Sequence, residues 1–142
     1  MTTDWIAMKE TKERLDGAIL PFDEMAMIIG SVEGYLQFKP DQKEFLAIAV
    51  EKLKRQRQSC MNIVYLGTVV NANLKECVLT IKEIEGLNRA FLFNKAIADN
   101  IEWGKRAVGV SDHMSGMNKC FKEMVKLIVN EELKDPDEEV AV

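Results

Sequence analysis

Apolar residues in this chain recur at three- and four-residue steps through most of its length, and that period commits it to helices. Near the C-terminal end Met114, Met117, Phe121, Met124, Val125 and Ile128 trace one such stripe. Phe22, Met25, Ile28, Ile29, Val32 and Leu36 trace another. On a helix of 3.6 residues per turn each set falls on one face. Eight methionines against three prolines agree, because Met loses little rotamer freedom in a helix and Pro breaks one.

Local punctuation sets the expected boundaries. A first helix runs from Thr3 to Leu15, with Gly17 just beyond it. Pro21 opens a second, with Asp23 and Glu24 where the helix dipole favours acids. Gly30 and Gly34 lie one turn apart within it, and a bend is expected near Gly30. Pro40-Asp41 opens a third, Glu44 stands in capping-box spacing from Asp41, and Phe45, Leu46, Ile48, Ala49, Val50 and Leu53 follow. Leu87 to Trp103 reads as a further helix. Gly104 to Val110 reads as a loop, and Ser111 as the cap of the last helix.

The stretch from Cys60 to Glu85 admits two readings. Ile63, Leu66, Val70, Leu74, Cys77, Ile81 and Ile84 keep the helical step, whereas Ile63–Leu66 and Val78–Ile81 are β-rich runs flanking Asn71-Ala72-Asn73. The helical seam is the longer signal. The expected fold is therefore all-α: an antiparallel, bundle-like domain of five or six helices over residues 1–134, with an acidic, disordered tail over 135–142. The alternative is an α+β fold with a β-hairpin at 61–84.

Composition narrows the function classes. A formal net charge of −4 makes nucleic acid an unfavoured partner, since such binders carry a basic field that displaces counterions. No basic leader and no long apolar run is present, so neither a signal peptide nor a membrane span is expected. Cys60, Cys77 and Cys120 form no CxxC pair and His113 is the lone histidine, so no metal and no cofactor is expected. Three separated thiols suit a reducing compartment, and the cytoplasm is the expected location.

Few residues offer themselves as a site. His113, with Asp112 beside it, is the weak catalytic candidate, although neighbours on a helix do not face each other. Cys60 is the reactive-thiol candidate, with Arg55 and Arg57 upstream to favour a thiolate. Lys52, Lys54, Arg55 and Arg57 form a basic helix end suited to an anion or nucleic acid, though cations there also answer the helix dipole. Met114, Met117 and Met124, with Phe93, offer an adaptable apolar interaction surface. The runs Met25–Ile29, Phe45–Val50 and Phe91–Phe93 carry more apolar surface than one buried face needs.

The function this favours is a non-catalytic interaction or regulatory protein that self-associates as a homo-oligomer through an apolar helical surface. Two alternatives come from other classes. One is a small all-α, Mg²⁺-dependent enzyme acting on a phosphate-containing substrate, drawing on Glu10, Glu13, Asp112 and His113. The other is a nucleic-acid-associated regulator using the basic end of the third helix.

Overall fold

The computed structural model describes the backbone of residues 5–62, 72–97 and 101–129, and the side chains of residues 6–62, 74–93 and 105–129. Among the described residues five α-helices follow one another: α1 (Trp5–Ala18), α2 (Phe22–Leu36), α3 (Lys43–Asn62), α4 (Ile81–Ile97) and α5 (Ile101–Val129). Two short 3-10 turns, Pro40–Gln42 and Ala72–Cys77, precede α3 and α4. The described residues contain no strand, and the fold is an all-α helical bundle.

The long seam of α5 organises the packing. Ala107, Val110, Met114, Met117, Phe121, Met124 and Val125 are all buried, and α1 lies along the C-terminal part of this row. Leu20 beyond α1 meets Met117, its N–H donating to the thioether sulfur at 3.3 Å. Arg14 meets Glu123 at 3.3 Å, so α1 runs antiparallel to α5. α4 is antiparallel to α5 as well: Leu79, just before α4, bonds Asn118, and Asn88 within it accepts from the Ser111 hydroxyl at 2.6 Å. Between α3 and α4 the same reversal holds, with Phe45 against Gly86 and Lys52 against Glu83. One core cluster draws on all five helices, with Leu15, Ile28, Leu46, Leu53, Leu87, Phe91 and Phe121 fully buried.

Several boundaries depart from expectation. α5 is one unbroken helix of 29 residues, about 43 Å long, so Gly104 to Val110 is not a loop and Ser111 caps nothing. Ala107 and Val110 are buried in register with Met114, and burying that apolar row outweighs roughly 1 kcal/mol of helix propensity lost at each glycine. α2 likewise passes through Gly30 without a break. Its start is as expected: Pro21 precedes the first turn, and Asp23 and Glu24 lie within it.

The stretch before α4 is neither the continuous helix nor the hairpin. Residues 72–77 form a 3-10 turn, and Val78 to Thr80 is a short connector. Thr80 ends it by capping α4. Its Oγ1 accepts from the Glu83 N–H at 3.1 Å, and Glu83 Oε1 accepts from the Thr80 N–H at 2.9 Å. This reciprocal capping box stops the strand-like run Val78–Ile81 from extending, because two donors that a helix start leaves orphaned are satisfied locally. The other arm of the hairpin reading, Ile63–Leu66, and the tail at 135–142 lie outside the described residues. No described helix is long and apolar enough to cross a membrane.

Candidate functional site

The basic end of α3 is not a free anion-binding patch. Lys52 Nζ lies 2.8 Å from Glu83 Oε1, the same oxygen that caps α4. Arg55 pairs with Glu51 one turn back at 3.2 Å. Arg57 turns inward, its Nε donating to the Leu20 carbonyl at 2.6 Å while its guanidinium lies 5.6 Å from the Phe22 ring centre. Lys54 alone of the four points to solvent without such a contact. A helix end that reads as a cation cluster along the chain is distributed around the helix, and two of its four charges, Lys52 and Arg57, tie α3 to its neighbours.

Cys60 is placed in the core and not at the surface. It sits near the C-terminal end of α3, fully buried, and not at a helix N-terminus where the dipole would favour a thiolate. Burial pushes its pKa from 9.0 up to about 12, against a smaller opposing pull from Lys12. Burial raises the Cys77 thiol as well, opposed by a hydrogen bond from Ser59. Cys120 is partly exposed.

His113 and Asp112 do not form a catalytic pair. Both lie in the middle of α5 and both are exposed. His113 Nδ1 is 2.6 Å from Glu24 Oε1 on α2, and two turns back along α5 Arg106 pairs with Asp23. The two contacts clasp the start of α2 to α5, as their two-turn spacing on one face allows. Glu10 and Glu13 are exposed on α1, whose neighbour on α5 at that level lies beyond Glu123. His113 is ten residues before Glu123, a separation of about 15 Å along the helix. Among the described residues no three His, Cys, Asp or Glu side chains converge as ligands for a cation.

The methionine row is core, not surface. Met114 and Met117 are fully buried and Met124 is 2% exposed, all within the one core cluster. Phe93 is half-buried between Tyr35 and Phe38, with ring centres 5.3 and 5.2 Å away. Thioethers here fill gaps between helices, the commoner use of Met.

Exposed large apolar side chains occur on every helix, and α3 with the turn before it carries several of them. Phe38 is 63% exposed and Ile48 57% exposed, and Phe45 lies at the edge of exposure. Phe45 and Ile48 are three residues apart on one face of α3. The register with α4 carries this face past Gly86, where a β-carbon would stand 2.7 Å from Phe45 Cε2 and 3.3 Å from Leu46 Cδ2. Glycine at that position lets α3 settle close against α4 while Phe45 stays at the rim.

One buried polar assembly escapes any local reading of the chain. Asn118 Oδ1 accepts from the Leu79 N–H at 2.9 Å and its Nδ2 donates to the Leu79 carbonyl at 3.1 Å. Gln56 Nε2 donates to Asn118 Oδ1 at 2.7 Å and to the Cys77 carbonyl at 3.0 Å. Together they fasten the connector before α4 between α3 and α5. Its partners are 39 and 62 residues apart along the chain, so no spacing rule signals it. The Thr80–Glu83 box, by contrast, is a readable pattern that the helical seam through Cys77 and Ile81 obscured. Comparison with protein-family models, with curated proteins and with solved structures finds no match.

Proposed function

We propose that this chain is a non-catalytic interaction protein that self-associates through an apolar helical surface, and that the surface is the outer side of α3 with Phe38 beside it. The observation that carries the reading is the exposure of Phe38, Phe45 and Ile48 on a bundle that buries its other stripes well. Large apolar side chains grouped on one face are a mark of protein contact surfaces, whereas single ones are ordinary. Of the exposed large apolar residues α3 carries Phe45, Ile48 and Met61, α4 carries Ile81 and Leu92, and Ile6, Phe22 and Val108 lie singly on the other helices. Three free thiols suit work in a reducing cytoplasm.

Sedimentation equilibrium of the full chain tests the reading. A mass that climbs from monomer toward dimer between about 1 and about 100 μM is the expected result. A monomer mass across that range contradicts it.

A further inference from the structure

We propose that Cys60 on α3 and Cys120 on α5 are a redox-sensitive pair, joined by a disulfide when a peroxide oxidises the folded chain. They lie 60 residues apart along the chain, and the packing of three helices brings them level. Leu20 sets that level from two sides: its N–H donates to Met117 on α5, and its carbonyl accepts from Arg57 on α3 at 2.6 Å. α3 and α5 both run antiparallel to α4 and so parallel to each other. Gln56 on α3 bonds Asn118 on α5 at 2.7 Å in the same register. One turn further along each helix from Arg57 and Met117 stand Cys60 and Cys120. α1 gives the level independently, since Arg14 meets Glu123 and Leu20 meets Met117, which puts Asp16 opposite the turn that holds Cys120. Lys12, Cys120 and Asp16 are the ionisable side chains whose charge acts on the Cys60 thiol.

The two thiols are unequally open. Cys120 is partly exposed and Cys60 fully buried, so an oxidant meets Cys120 first. There hydrogen peroxide transfers one oxygen to sulfur, giving a sulfenic acid and one water. The Cys60 sulfur then attacks the sulfenic sulfur: the S–S bond forms, the S–O bond breaks, and the hydroxide leaves with the Cys60 proton as a second water. The thiols lose two electrons and two protons, and the peroxide takes up both. Cys60 gives up its proton in this step, and Lys12 is the cation placed to favour that. The Lys12 side chain is only 14% exposed, it pairs with Asp16, and its charge pulls against burial at the Cys60 thiol. Burial keeps the thiolate scarce, but a partner held in place makes the step intramolecular, and well-oriented pairs react far faster than free thiols. In a reducing compartment a disulfide of this kind is transient and redox-sensing.

The test is peptide mapping of the full chain after brief treatment with hydrogen peroxide and alkylation of the remaining thiols. Trypsin leaves the three cysteines on separate peptides, residues 58–75, 76–82 and 120–122. The expected product joins the first to the third, with a loss of about 2 Da for the two hydrogens removed. It should exceed any link to Cys77 by about tenfold or more, and dithiothreitol should restore both thiols. Cys60→Ala should leave Cys120 as the sulfenic acid, which dimedone traps. Lys12→Met should slow closure severalfold while leaving the first oxidation of Cys120 unchanged. Should either variant lose helix content, the wild-type map decides alone. A wild-type Cys120 that stops at the sulfenic or sulfinic acid, pairs with Cys77, or cross-links only between copies overturns the proposal. So does a Cys60–Cys120 link that forms as readily in urea, since the fold then selects nothing. Closure indifferent to Lys12→Met overturns the part given to Lys12.

Discussion

The side-chain amide of Asn118 pairs with both backbone polar groups of Leu79, accepting at 2.9 Å and donating at 3.1 Å. It does for the connector what a neighbouring strand would do. The Leu79 side chain is 2% exposed, so its N–H and carbonyl have little access to water if the amide is removed. Leaving a buried backbone donor or acceptor unpaired costs about 1–3 kcal/mol. Asn118→Ala is therefore expected to lower unfolding stability by about 2–4 kcal/mol in urea titration, with Gln56 also losing an acceptor. A loss below about 0.5 kcal/mol would place the connector's anchorage elsewhere.

Thr80 and Glu83 cap α4 reciprocally, and Lys52 holds the same carboxylate. Thr80→Ala should cost about 1 kcal/mol, the ordinary worth of an N-cap side chain. Glu83→Ala should cost more, about 2 kcal/mol, because it removes a cap bond and a largely buried ion-pair partner together. The double variant is expected to lose less than the sum, since both residues serve one box. Thermal denaturation of the three variants measures this.

Gly30 and Gly86 both lie inside helices, yet they should respond oppositely to substitution. A β-carbon at Gly30 meets nothing within 4 Å. Gly30→Ala is expected to stabilise the fold by about 0.5–1 kcal/mol through helix propensity. At Gly86 the same atom would stand 2.7 Å from Phe45 Cε2 and 3.3 Å from buried Leu46. Gly86→Val should destabilise by about 1–3 kcal/mol as α3 is pushed from α4. Midpoints of denaturant unfolding for the two variants give the comparison.

Burial of Cys60 has a consequence at alkaline pH. Its thiol titrates near 9.0 unfolded and at about 12 in the bundle. Between those values the unfolded chain releases a proton that the folded chain keeps. Stability from this group is thus fully present below pH 9 and falls as pH rises toward about 12, by at most about 1.4 kcal/mol per unit. Cys60→Ala should flatten that slope in urea titrations run at pH 8 through 10. In the native protein iodoacetamide should label the partly exposed Cys120 first and Cys60 only on unfolding.

Much of this architecture is legible along the chain because helix packing depends on period. The stripe Met114, Met117, Phe121, Met124, Val125 is buried as its spacing implies. The start of α2 after Pro21 follows from proline geometry and first-turn acids. Where the reading failed, a tertiary effect outweighed a local one. Gly104 to Val110 reads as a loop, but α5 runs through it because Ala107 and Val110 are buried in register with Met114. Period alone likewise cannot tell an apolar row that another helix covers from one left open. The methionines read as a surface are core for that reason, while Ile48 on α3 is exposed. The charges at Lys52, Arg55 and Arg57 illustrate the same limit, since each partner belongs to another turn or another element.

The central claim is that the methionine row is interior and the outer side of α3 is the contact surface. Hydroxyl-radical footprinting of the full chain at low and high concentration tests both halves in one measurement. The account predicts that Met114, Met117 and Met124 stay unlabelled at every concentration while exposed Met61 is modified. It also predicts that Phe45 and Ile48 lose labelling as concentration rises while Phe22 and Val108 do not. Modification of the methionine row in dilute protein, or labelling of Phe45 and Ile48 that ignores concentration, would contradict it.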